Sequence, residues 1–149
     1  MEFDRITTHN WTIAFPADWI DKTQEGKSLY FESPDQEKGF YLSLWNMSDK
    51  ELRTSEELVK SFQSTEIESF LNDPKNWELL HKELNFNGSQ AIGTWEVFNK
   101  LNSYRVYGKV ISKGSFVLRA TFHDYNCENI ELSKEFYLPI VNSLELLNA

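Results

Sequence analysis

His123, Asp124 and Cys127 are the nearest thing in this chain to a reactive cluster. A nucleophilic cysteine needs a base within hydrogen-bond reach and a neighbour that lowers its pKa. His123 and Cys127 are four residues apart, a spacing that suits one face of a helix. The local pattern instead puts a strand end and a loop between them, so Cys127 is expected to be structural or incidental. The three are too few for a structural zinc site. His9 lies in a polar lead-in and is expected to be exposed. Glu56-Glu57 and Glu66/Glu68 fall on the polar side of a helix, where they solvate rather than act as an acid–base pair. No glycine-rich phosphate loop, G-x-S-x-G elbow or H-E-x-x-H helix occurs. The residues therefore point to a non-enzymatic protein with no cofactor and no metal.

Any other site must be built by the pairing of strands. Alternating apolar residues predict strands at Trp11–Phe15, Ser28–Glu32 and Phe40–Met47. Thr54 or Ser55 then caps a helix to about Leu71, with Glu56 and Glu57 at the positive end of its dipole. Its apolar stripe is Val59, Phe62, Ile67, Phe70 and Leu71, interrupted near Gln63–Glu66. Four strands follow, at Trp77–Phe86, Ser89–Phe98, Ser103–Ile111 and Ser115–Phe122. A last helix runs from near Cys127 to near Val141, with Ile130, Phe136, Ile140 and Val141 toward the sheet and a turn or kink at Pro139. The fold class is α+β: an antiparallel sheet of six to seven strands flanked by a central and a C-terminal helix, in one domain over residues 1–149.

Two hairpins have turn chemistry that sets a register. Asn87-Gly88 reads as a two-residue turn, and Ser112-Lys113-Gly114 as a three-residue loop. These put His81 opposite Thr94 and Tyr107 opposite Arg119. Pairing Glu96 with Arg105 satisfies charge in the middle hairpin and sets Gly93 against Gly108, a dent that a helix or a tryptophan can enter. One face then carries Leu80, Trp95, Val97, Tyr104, Val106, Ala120 and Phe122 as core. The other carries a row His81, Thr94, Tyr107 and Arg119, flanked by Glu96, Arg105 and Lys109. That row offers a cation, a phenol and an imidazole for a partner or, as the alternative reading, for a small-ligand-binding or enzymatic site. Tyr41 and Trp45, on the alternate face of their strand, are the candidate aromatic anchors for a protein partner.

Composition narrows the partners. The formal net charge of −8 disfavours nucleic acid and anionic membranes. It also leaves open an immunity-type protein that neutralises a basic partner. The single cysteine excludes an intramolecular disulfide and suits a reducing compartment. The first ten residues lack a signal-peptide pattern, and no stretch has the length of an apolar membrane span. These features predict a cytoplasmic location and no membrane insertion.

The phrase Trp11-Thr12-Ile13-Ala14-Phe15-Pro16-Ala17-Asp18-Trp19 resembles the apolar strand and Phe-Pro-x-x-Trp opening of the PsbP-like superfamily. The end is also similar: the Ser115–Phe122 strand, a short acidic loop, then a helix with Phe136 closing on Ile140-Val141-Asn142-Ser143-Leu144. The superfamily includes a photosystem II extrinsic protein and a Ran-binding nuclear import factor. The resemblance implies an α/β/α sandwich around an antiparallel sheet, in a protein that binds another protein and does no chemistry of its own. No Ran-binding or manganese-binding residue set matches.

Overall fold

A computed structural model describes residues 1–147; the domain expected over 1–149 extends two residues beyond these. The elements, in chain order, are β1 (Phe3–Thr7), β2 (Trp11–Pro16), β3 (Ile20–Asp21), β4 (Leu29–Glu32) and β5 (Lys38–Asn46), then α1 (Ser55–Leu71). β6 (Trp77–Asn87), β7 (Gln90–Asn99), β8 (Tyr104–Lys113) and β9 (Phe116–Asp124) follow, then α2 (Ile130–Ser143) and β10 (Glu145–Leu146). The main sheet has seven antiparallel strands in the order β3-β4-β5-β9-β8-β7-β6, and a smaller sheet has the order β1-β2-β10. α1 packs on β6, β7 and β8; α2 packs on β2 and β9.

Local chemistry explains both helices. Thr54 caps α1 in a capping box: its Oγ1 accepts from the Glu57 N–H at 3.2 Å, and Glu57 Oε1 accepts from the Thr54 N–H at 3.3 Å. Asn129 caps α2, with Oδ1 accepting from the Leu132 N–H at 3.1 Å. The last turn of α2 has no basic residue of its own. Lys109 of β8 supplies the cation instead, donating from Nζ to the carbonyls of Val141 at 2.9 Å and Leu144 at 3.3 Å. Pro139 lies within an unbroken α2. Both it and Glu135, whose carbonyl loses its i+4 donor, are exposed, so water can replace that bond.

Two apolar layers lie on opposite faces of the main sheet. Under α1 are Leu58, Val59, Ile67, Trp95, Val97, Val106, Val110 and Val117. Under α2 and the small sheet are Trp11, Ile13, Phe15, Trp19, Phe40, Leu118, Ala120, Phe122, Tyr137 and Ile140. This corrects the single core face expected above: Ala120 and Phe122 belong to the layer opposite Trp95 and Val106, and Leu80 is exposed at an irregularity between Leu79 and His81. The interruption expected in the stripe of α1 also closes. Gln63 is buried, and its Nε2 donates to the carbonyls of Glu83 at 2.9 Å and Thr94 at 2.8 Å. The glycine dent is present, with the partners changed. Gly108 faces Trp95, whose indole fills the space of a Cβ, while Gly93 makes room for Val59 of α1.

Candidate functional site

Hairpin loops decide which of the expected site residues meet. Both outer loops are two residues long, Gly88-Ser89 and Gly114-Ser115, each opening on a glycine with positive φ. In the first hairpin from His81 onward, and in the middle pair, the register lies two residues from expectation, so those side chains keep their faces; Trp77–Leu79, before the irregularity, is shifted by one and changes face. His81 stands opposite Glu96, and Tyr107 likewise faces Glu96 from β8. In the last hairpin the shift is three residues, and the faces exchange. Arg119 pairs with Val110, Tyr107 pairs with Phe122, and Arg119 leaves the row. It turns toward α1, where Nε lies 2.6 Å from Glu66 Oε1. That contact is Coulombic, since the Nε–H finds no acceptor in line.

His81, Thr94 and Tyr107 do share a face, the one beneath α2. Thr94 Oγ1 and His81 Nε2 are 3.4 Å apart, and His81 also lies 3.4 Å from Glu83. The centre of this face is the ion pair of Glu96 and Arg105, each 2% exposed, with Arg105 Nε donating to Glu96 Oε2 at 2.7 Å. α2 completes it from above. Ser133 Oγ accepts from Arg105 Nη1 at 3.0 Å, and Lys134 Nζ lies 3.7 Å from Glu96 Oε1. A cavity of about 260 Å³ opens between α2 and these strands. Ser133 and Lys134 were not legible as site residues because nothing in the sequence fixes the rotation of α2 over the sheet. Burial pushes the Tyr107 hydroxyl up.

Tyr41 and Trp45 lie on the opposite face, in the part of it that α1 leaves open. Tyr41 is half-buried and stacks on Tyr30 at 4.2 Å. Trp45 is 41% exposed and meets Phe62 of α1 edge-on at 5.1 Å. The strip continues through Tyr125, Tyr104 and His123. Tyr30 Oη and Tyr125 Oη are 2.9 Å apart, and the Tyr41 ring sits 5.3 Å from the His123 ring. Burial pushes the hydroxyls of Tyr30, Tyr104 and Tyr125 up, so all three stay protonated. Tyr104 therefore donates to His123 Nδ1 at 2.5 Å, which leaves Nε2–H to donate to Thr121 Oγ1 at 2.9 Å. Beside Tyr30 and Tyr41 lies a concavity of about 510 Å³ whose walls include Lys22, Gln24 and Lys27. Strand alternation was the signal for Tyr41 and Trp45; applied to β4, it also yields Tyr30, directly opposite Tyr41.

Cys127 lies apart from His123. It is buried beside Asp124 and Ser133, and burial with the nearby Asp124 charge pushes its thiol up. That is the reverse of what a nucleophile needs. Among the described residues, no group of three His, Cys, Asp or Glu side chains is placed to hold a metal ion, and no helix is long and apolar enough to cross a membrane.

No family model and no curated protein matches this sequence. Solved structures do match its fold. The solution structure of cyanobacterial PsbP (CyanoP) from Synechocystis sp. PCC 6803 superposes with a TM-score of 0.71. It covers 97% of this chain and 92% of the other, at 13% identity. A crystal structure from Bacteroides thetaiotaomicron VPI-5482 superposes with a TM-score of 0.51 at 13% identity; this chain is covered over 99% of its length but spans only 50% of that one. The superposition over nearly the whole chain gives this protein, with its two helices on an antiparallel sheet, the PsbP-like fold.

Proposed function

We propose that this protein is a non-enzymatic protein-binding module, acting in the cytoplasm, whose contact surface is the aromatic strip Tyr30–Tyr41–Trp45. The observation that supports this reading is Trp45, a large side chain left 41% exposed on a rigid central strand, next to stacked tyrosines and a concavity. Tryptophan and tyrosine supply large contact area at small conformational cost and dominate binding energy where they are buried by a partner. The partner segment that fits carries apolar side chains. Lys22 and Arg119 at its border are already paired with Glu32 and Glu66, so the strip offers aromatic area rather than free charge to a partner.

Affinity capture from native lysate, with wild type and Trp45→Ala as baits, tests the reading. One protein retained in stoichiometric amount by wild type should be weakened at least about tenfold by the substitution. The variant should lose only about 1 kcal/mol of stability, because the indole rests on Phe62 alone among aromatic rings. Capture that persists in the variant, or a collapse of its melting temperature, removes Trp45 from the interface. Retention that disappears at high salt would favour charge over aromatic burial.

A further inference from the structure

We propose that the cavity between α2 and the β6–β8 strands is a second, separate site, one that binds a small organic monocarboxylate with an apolar tail. Its floor holds a buried ion pair. Glu96 is the sole carboxylate lining the cavity, and its Oε2 is already engaged by Arg105 Nε at 2.7 Å. Two cations line the same space, Arg105 and Lys134. Lys134 makes only long contacts, 3.7 Å to Glu96 and 3.6 Å to Glu131, which a bound anion can displace.

The donor for that anion is already held in place. Arg105 Nε is fixed by Glu96 and Nη1 by Ser133, and its Cζ lies 5.8 Å from the centre of the Tyr107 ring. Those two bonds fix the plane of the guanidinium, and the residue itself lines the cavity. Lys134 Nζ comes from the helix above and, at 45% exposure, can exchange its ion pairs with Glu96 and Glu131 for a bound anion. The neighbouring acids lie outside: Glu131 beside Lys134 is 80% exposed, Glu83 beside His81 is 52% exposed, and Asp124 faces Lys38.

The remaining walls select the rest of the ligand. Tyr107, Tyr137, Leu138 and Val141 form an apolar side, and Asn142 stands at the same wall. A hydrated inorganic anion gains little there, whereas a short alkyl or single-ring tail is covered. At about 260 Å³ the cavity holds one small ring with its carboxylate. One guanidinium edge and one ammonium match a single planar carboxylate better than a multiply charged phosphate.

The test is a titration of the full-length protein followed by amide chemical shifts, with benzoate as probe and benzamide and inorganic phosphate as controls. Benzoate should give saturable shifts centred on His81, Lys134, Leu138 and Asn142. Benzamide and phosphate should each bind at least about tenfold more weakly. Lys134→Gln should weaken benzoate by about tenfold, and Leu138→Glu should abolish it, both at exposed positions where the unliganded spectrum reports an intact fold. Trp45→Ala, on the opposite sheet face, should leave benzoate binding unchanged, so this site and the aromatic strip stand or fall separately. Absence of saturable shifts with benzoate overturns the proposal. So does equal binding of benzamide or phosphate, or indifference to Lys134→Gln.

Discussion

His123 is a buried histidine whose hydrogen bonds and surroundings both favour the neutral ring. Burial, and secondarily the charge of Arg119, push its pKa down to about 3 from an ordinary 6.5. As pH falls through 6.5, the unfolded chain takes up a proton on this imidazole and the folded chain does not. The unfolded state then binds more protons, so stability falls with pH until about 3, where the folded ring also protonates. Asp21, Glu32 and Asp35 are held below their ordinary values by hydrogen bonds, and their losses begin only in more acidic solution. Urea unfolding at pH 7 and pH 5 should therefore show wild type losing about 2 kcal/mol at the lower pH. His123→Gln, which still accepts from Tyr104, should lose much less over that interval. An equal slope in the variant would put the acid sensitivity elsewhere. A residue's environment of this kind is not legible in sequence: His123-Asp124-Cys127 reads as one cluster, but strand alternation sends His123 to the tyrosines and Asp124 toward Cys127 on the other face.

The elements themselves were largely legible. The bounds of α1 follow from its capping box and from Asn72-Asp73-Pro74 at its end, and the four long strands follow from period-two alternation between glycine turns. Register was less so, because it depends on which residues of a Ser-Lys-Gly-Ser stretch form the loop. Taking Gly114-Ser115 in place of Ser112–Gly114 shortens the loop, moves the pairing by an odd number, and carries Arg119 through the sheet. A shift of two would have been harmless. The fit of the sheet to its helix rests on Gly108, where a Cβ would come within 2.0 Å of the Trp95 indole. Trp95 is fully buried, leaves its Nε1–H without a partner, and has no room to retreat. Gly108→Ala should therefore cost about 2–3 kcal/mol in urea unfolding. Adding Trp95→Phe should recover part of that loss, since the smaller ring vacates the contact. Additive losses in the double variant would mean that the two positions do not meet.

At the scale of the molecule, the two layers share one set of strands. Val117 faces α1 while Leu118, Ala120 and Phe122 of the same strand face α2, and β8 divides in the same way between Val106 or Val110 and Ile111. Tyr137 ties α2 to β9 and β5, donating to the His123 carbonyl at 2.5 Å and accepting from the Gly39 N–H at 3.2 Å. The small sheet that finishes the α2 layer was the part least legible in sequence. β1 is almost wholly exposed and β10 has two residues, so neither carries an apolar pattern; both are placed by pairing with β2, which exists only once the fold does. Removing either layer strips one face of strands that the other layer needs. We therefore expect one cooperative domain. Val59→Ala under α1 should lower stability by about 1–3 kcal/mol, and Ile140→Ala under α2 by about 2–5 kcal/mol. Each should move the midpoint of a single urea transition and leave its slope unchanged, whether followed by tryptophan fluorescence or by backbone circular dichroism. Trp95 reports the first layer, and Trp11 and Trp19 the second, so noncoincident transitions in either variant would show that the layers unfold separately and that the chain is not one cooperative unit.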